Sequence, residues 1–256
     1  MKTAVVTGGN RGIGHAVCRS LVDKGFRVVP VVRGDAEAAR LWAELDVDVV
    51  VGDLSSRRAV AALAGELLAL PRIDVLVHNA GVWPTRKVCN TDGLEESFAV
   101  NHLAPFQLNL ALESRLRRVV QVSAGLHVKG RVDPDRTPAG ADFHRMRTYC
   151  DTKRANLLLV PMFARRWQDA GVTIDAVHPG VIRTRLGDPG GPLGLVLRAV
   201  KRSWATPEAG AAPVVRLADQ HGTGRYFDVD REVAIESDVD LADRLWRQAE
   251  ELTGGR

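Results

Sequence analysis

The sequence predicts an α/β fold, a doubly wound and mainly parallel sheet built as a single domain over residues 1–256. Two observations carry this reading. Short valine-rich runs alternate with longer amphipathic segments along the chain, and the runs are apolar at consecutive positions, as strands covered on both faces must be. That alternation places helices on both sides of one sheet.

In chain order the strands are read at TAVVT (3–7), RVVPVV (27–32), VDVVV (47–51), IDVLVH (73–78), RRVVQVS (117–123), TIDAVH (173–178) and RYFDV (225–229). Segments 12–24, 36–45, 55–70, 94–115 and 149–169 carry apolar residues at helical spacing and are read as helices. Pro161 stands inside the last of them, where it removes a backbone donor and predicts an interruption or kink. Two stretches break the rhythm: 127–148, with KGRVDPDRTPAG, and 183–204, with RLGDPGGPLG. The second is read as a lid over a substrate pocket; for the first, a lid and a surface insertion both stay open.

Composition narrows the function classes. At 256 residues, 45% hydrophobic and 26% charged, the chain can bury a full core. Its net charge of +4 comes from arginines interspersed with acids, as in RMRTYCDTKR and ARRWQD, without a basic run or interleaved aromatics. That pattern reads as a solvated surface, not a nucleic-acid interface. Cys18, Cys89 and Cys150 are far apart, with no CxxC pair, which argues against disulfides and zinc and suits a reducing cytosol. The chain opens on a strand, MKTAVVTGG, and its longest apolar stretch, NLLLVPMFA, is too short for a bilayer. The expectation is a soluble cytoplasmic protein with no membrane partner.

The segment AVVTGGNRGIGHAVCRSLVDKG places Gly8, Gly12 and Gly14 between the first strand and the first helix. Glycine lets the backbone turn tightly and approach a pyrophosphate, which the helix N-terminus stabilises. Glycine-rich turns also serve purely structural purposes. The strand before and the helix after favour a dinucleotide-binding turn and a Rossmann-like sheet.

The spacing Thr-Gly-x-x-x-Gly-x-Gly resembles the short-chain dehydrogenase/reductase family, and further motifs follow in that family's order. They are DL at Asp53 and Leu54, HNAG at 78–81, NH at Asn101, YCDTK at 149–153 and HPGVIRT at 178–184. NHLAPF, the long gap between Ser123 and Tyr149, TYCDTKRANLL, TPEAGA and the ending GRYFD…LADRLWRQAEELTG are most similar to the retinol dehydrogenase and WW-domain oxidoreductase branch. The resemblance implies a nicotinamide cofactor held by the turn residues Gly8, Asn10, Arg11, Gly12, Ile13 and Gly14. It implies that Asp53 and Leu54 flank the adenine, that Asn79, Ala80 and Gly81 line the cleft, and that Pro179, Gly180, Val181 and Thr184 hold the nicotinamide end.

An NAD enzyme of this fold places an acid at the end of the second strand to bind the ribose 2′-OH. Here that strand ends VVPVVRGD, with Val32 at the acid's place and Arg33 next. Arg33 can pair with a 2′-phosphate, and Arg11 is a second candidate. The two favour NADPH over NAD, with Asp35 nearby as the contrary sign.

Tyr149 and Lys153 are four apart and share one face of a helix. A phenol with a pKa of about 10 is a poor acid–base group near neutrality, and a nearby cation lowers it. Tyr149 is therefore read as the general acid for carbonyl reduction, with Lys153 tuning it and holding the nicotinamide ribose. The resemblance gives Asn101 a water linking Lys153 to solvent, or the place of a helix kink. Similar proteins end the fifth strand with two serines, the second donating to the substrate carbonyl; here VSAG puts Ser123 first and Ala124 second. Successive strand residues face opposite sides, so Ser123 is not expected to substitute without a bulge. One lost oxyanion donor costs on the order of 10²-fold in rate. Three readings stay open: Tyr149 suffices with help from Ser123 or a loop group, the substrate supplies its own hydrogen bond, or the fold serves another task.

The stretch between Asn101 and Ser123 is shorter than the resemblance implies for the helix through which such proteins pair, so monomer and homo-oligomer both stay open. His78, His102 and His144 read as structural, Cys150, Trp42, Trp167 and Trp246 as packing residues, and Trp204 as a candidate substrate contact. The primary expectation is an NADPH-dependent reductase, or reverse dehydrogenase, of a ketone or aldehyde on a bulky, largely apolar molecule. The competing class is a cofactor-binding sensor or partner-binding protein with little redox turnover, or a repurposed non-redox relative.

Overall fold

The structure is a computed structural model that describes residues 1–182 and 204–254. Valine-rich segments form the strands β1 (Thr3–Thr7), β2 (Arg27–Val32), β3 (Val50–Val51), β4 (Val75–His78), β5 (Arg118–Val122), β6 (Thr173–His178), β7 (Arg225–Asp228) and β8 (Arg231–Val233). The described helices are α1 (Gly12–Asp23), α2 (Asp35–Leu45), α3 (Arg57–Leu68), α4 (Glu96–Phe98), α5 (Ala104–Ala111), α6 (Arg145–Arg166), α7 (Pro207–Asp219) and α8 (Val239–Thr253).

The sheet runs β3-β2-β1-β4-β5-β6-β7-β8. Every pairing from β3 to β7 is parallel, and β8 closes the edge antiparallel to β7. Because β1 lies between β2 and β4, the winding reverses there, and a crevice opens beyond the strand ends at that switch point. On one face a core forms around Leu67, Phe106, Phe163, Trp167 and Leu245; on the other, Val17, Leu21, Val214 and Leu217 pack against Val6 and Val177. Burial on both faces is why the strand sequences do not alternate. Charge enters the buried strands at Arg118 in β5 and Asp175 in β6; Asp175, fully buried, takes Arg118 Nη2 at 2.5 Å and Arg225 Nη2 at 2.9 Å from the strands on either side.

Several elements differ from the sequence reading. Only Val50 and Val51 of VDVVV pair as a strand. The helix expected over 94–115 is divided by a π-helical turn at Ala99–Leu103, an inserted residue that shifts the hydrogen-bond ladder. The helix carrying Tyr149 begins earlier, at Arg145, because His144 Nδ1 caps it by accepting from Arg147 N at 3.3 Å. Pro161 does not end that helix, which continues to Arg166 with Leu157 to Val160 and Phe163 buried beneath it. Trp42, read as packing, is 63% exposed, whereas Trp167 is buried and Trp246 packs on Phe106 and Phe163. The lid reading at 183–204 lies outside the described residues except for Trp204.

Candidate functional site

Beyond the ends of β1, β2, β4, β5 and β6 lies a cleft of about 920 Å³. Its floor is the glycine-rich turn. Gly8 and Gly12 adopt φ of 68° and 56°, in the left-handed region where a side chain is strained. A Cβ on Gly14 would lie 2.3 Å from the Gly8 carbonyl oxygen and 2.4 Å from Asn79 Nδ2, so glycine is required for the turn to close on β4. Asn79 Nδ2 donates to the carbonyls of Thr7 (3.0 Å) and Gly8 (3.2 Å), while Thr7 Oγ1 accepts from the amides of Asn79 and Ala80. TGG and HNAG are thereby one unit, and α1 starts above it without a side-chain cap on its first amides. Gly8, Asn10, Arg11, Gly12, Ile13, Gly14, Asn79, Ala80 and Gly81 all line the cleft, an arrangement that fits the pyrophosphate of a dinucleotide.

Farther along, Val32, Arg33, Asp53 and Leu54 line the same cleft. Among the lining residues absent from the sequence reading are Arg40, whose Nη2 donates to the Asn10 carbonyl at 2.6 Å, and Glu37. Asp35 lies in the first turn of α2 and does not line the cleft, whereas Glu37 on the same helix does. Their α2 spacing was legible, but which helix face looks at the cleft was not.

At the other end stand Tyr149, Lys153, Ser123, Ala124, Pro179 and Gly180. Lys153 Nζ donates to the Val122 carbonyl at 3.1 Å and lies 5.7 Å from the centre of the Tyr149 ring. Burial pushes the Lys153 ammonium down to about 8 and the Tyr149 phenol upward. The lowering of the phenol expected from Lys153 is not found: burial raises it, and the neighbouring Cys150 adds to the rise. Ser123 and Ala124 were expected on opposite sides, yet both line the cleft. The alternation rule lapses because β5 ends at Val122 and Ala124 already caps a 3-10 turn, Gly125–Lys129. Ser123 Oγ is buried with no hydrogen-bond partner among the described residues.

Asn101, by contrast, does not line the cleft. It sits 1% exposed in the π-helical turn, its amide held by both backbone groups of Val82 and its carbonyl accepting from Asn156 Nδ2 at 2.7 Å. Val181 is 60% exposed and outside the cleft lining, where Ile182 stands instead. Thr184 lies outside the described residues. His78 and His102 are structural, paired with Asn109 and Asn156. His178 lines the cleft, and Trp83 stacks on Tyr149. Neither role follows from periodicity, since both residues stand at strand ends or in loops. Among the described residues, no group of three or more His, Cys, Asp or Glu could hold a metal, and no helix is long and apolar enough to cross a membrane.

Comparison with known proteins agrees with this geometry. The short chain dehydrogenase family model matches residues 2–190. Over 99% of its length the chain is 34% identical to retinol dehydrogenase 14 of Mus musculus, covering 86% of that protein, and 31% identical to retinol dehydrogenase 13 of Homo sapiens, covering 85%. A solved structure of an uncharacterized protein from Mycobacterium paratuberculosis superposes with a TM-score of 0.78 at 25% identity, covering 99% of this chain and 94% of that one. BdcA, solved in complex with NADPH, superposes with a TM-score of 0.69 at 26% identity, covering 89% of this chain and 91% of that one. A glycine-rich turn flooring the cleft, a family model matched over three quarters of the chain and relatives aligned over 99% of it converge on one statement: the chain belongs to the short-chain dehydrogenase/reductase family, in its retinol dehydrogenase branch, and is an oxidoreductase.

Proposed function

We propose that the protein is an NADPH-dependent reductase, or reverse dehydrogenase, of an aldehyde or ketone on a bulky, largely apolar molecule. The observation that carries this reading is the cleft itself. It has Tyr149, Lys153 and a Ser123 hydroxyl without a hydrogen-bond partner among the described residues at one end and three arginines, Arg11, Arg33 and Arg40, at the other. When bound, the nicotinamide supplies a hydride to the carbonyl carbon.

The chain's own residues do the rest. Tyr149, held protonated by burial, gives its phenolic proton to the carbonyl oxygen as charge develops there. Lys153, whose ammonium loses its proton more readily when buried, stands beside it to stabilise the phenolate left behind. Ser123 Oγ supplies the donor that Ala124 lacks, which moves the oxyanion contact one residue back along the chain. Arg11, Arg33 and Arg40 favour a 2′-phosphate, with Glu37 as the opposing charge. NADPH in the BdcA complex supports that preference, and relatives named for retinol, an apolar alcohol, support the substrate class. The three free cysteines suit the cytoplasm.

The test is Tyr149→Phe, assayed by NADPH oxidation against all-trans-retinal and a panel of aldehydes and ketones beside NADPH binding by fluorescence. Turnover is lost and binding retained if Tyr149 is the acid. Tight NADPH binding without turnover by the unmodified protein would instead establish the sensor class.

A further inference from the structure

Trp83 belongs to none of the motifs that mark the family, yet its indole covers the general acid. The Trp83 and Tyr149 rings lie 4.4 Å apart, centre to centre, and 8° from parallel. Trp83 Nε1 donates to the Arg145 carbonyl at 2.8 Å, one turn before Tyr149 on α6. On its other side, the backbone leading into Trp83 is clamped. Asn101 Oδ1 accepts from Val82 N at 2.8 Å, and Asn101 Nδ2 donates to the Val82 carbonyl at 2.9 Å and to Thr152 Oγ1 at 3.3 Å. The indole therefore bridges the loop after β4 to α6, fixed at both ends.

The phenol oxygen lies on the axis about which the ring turns, so its place is set by the torsion about the Cα–Cβ bond, and a ring stacked flat on the phenol blocks displacement toward that side. The cation flanking this phenol is Lys153, 5.7 Å from the ring centre, and Tyr149 is left 5% exposed. We infer that Trp83 is a positioning residue for Tyr149: the stacked indole stops the phenol from swinging aside, so that the hydroxyl stays where it meets the carbonyl oxygen, and Asn101 holds the indole through Val82. This rests on the reading of Tyr149 as general acid. It gives the Asn101 side chain a task in aligning the acid, at a position outside the cleft.

The experiment compares Trp83→Leu and Trp83→Phe with the unmodified protein in three measurements. These are O-acetylation of Tyr149 by N-acetylimidazole, read by peptide mass; NADPH affinity by fluorescence; and kcat, KM and the pH profile for reduction of all-trans-retinal. Trp83→Leu removes the stack, so acetylation of Tyr149 rises and kcat falls on the order of tenfold or more, as loss of alignment does, with NADPH affinity unchanged. The alkaline limb of the profile moves to lower pH, because a phenol reached by water ionises more easily and reduction needs it protonated. Trp83→Phe keeps a ring to stack on and restores most of kcat while keeping Tyr149 protected. Unchanged acetylation in Trp83→Leu overturns the inference, as does raised acetylation with unchanged kcat. So does an equal loss of kcat and NADPH affinity in both variants. If the unmodified protein reduces neither retinal nor simple aldehydes, the reductase reading fails, and the acetylation result alone then decides whether Trp83 holds Tyr149.

Discussion

Replacing Gly14 by alanine sets two forces against each other, and their sizes decide the sign. Gly14 is the third residue of α1, where alanine is favoured over glycine by about 1 kcal/mol on helix propensity alone. Against this, the new methyl would lie 2.3 Å from the Gly8 carbonyl oxygen and 2.4 Å from Asn79 Nδ2. The carbonyl has little room to retreat, because Gly8 is held at φ 68° and its amide donates to Val31 O at 2.9 Å. Asn79 can leave only by giving up its bonds to the Thr7 and Gly8 carbonyls, worth about 1 kcal/mol each. Two lost bonds and a forced backbone shift outweigh the propensity gain, for a net loss of about 1–3 kcal/mol. Urea unfolding of the cofactor-free protein reads this as a lower midpoint at unchanged slope, with NADPH binding lost as the turn distorts. Gly65 is the control: it is an exposed glycine within α3, a Cβ there meets nothing within 4 Å, and Gly65→Ala raises stability by about 1 kcal/mol. A stabilised Gly14→Ala with intact NADPH binding would refute the argument that the turn is closed by backbone contact.

The remaining predictions bear on cofactor, chemistry and pH. NADPH binds more tightly than NADH, and Arg33→Ala narrows the gap on the order of tenfold or more through one lost charged contact, measured by titrating both cofactors; equal affinities in the unmodified protein count against it. Ala124→Ser adds a second hydroxyl to a cleft that Ser123 already lines, so simple test ketones gain mainly in kcat, whereas Ser123→Ala loses on the order of 10²-fold; no loss in Ser123→Ala removes it as the donor. Burial holds His78 and His102 neutral, each pushed from 6.5 down to about 4. The unfolded chain therefore takes up these protons first, and stability, full above pH 6.5, declines as pH falls toward 4; a urea midpoint equal at pH 7 and pH 5 would contradict this.

Much of the fold was legible because parallel strands buried on both faces announce themselves as unbroken valine runs, and six of the seven expected strands pair over nearly the stretch read. VDVVV was over-read: an apolar run is a strand only where a neighbour accepts it, and β3 meets β2 over two residues. The antiparallel β8 escaped notice because REV, at an exposed edge, carries no apolar signal. α7 lies in a segment whose resemblance was seen without being read as a helix, and of α8 only the helical pattern around Trp246 was read.

By itself the sequence determined the glycine-rich turn, since glycine spacing between strand and helix is a local constraint. It also determined the Tyr149–Lys153 pair, which helix geometry alone places on one face. Only the tertiary structure decided which side chains share the cleft. Ser123 enters it because β5 stops one residue short, Arg40 because α2 turns that face to the glycine turn, and Asn101 leaves it because a π-helical turn ties its amide to Val82. The stacking of Trp83 on Tyr149 was hidden for the same reason: the two are 66 positions apart in sequence (149 minus 83), and their contact exists only once the loop after β4 packs on α6.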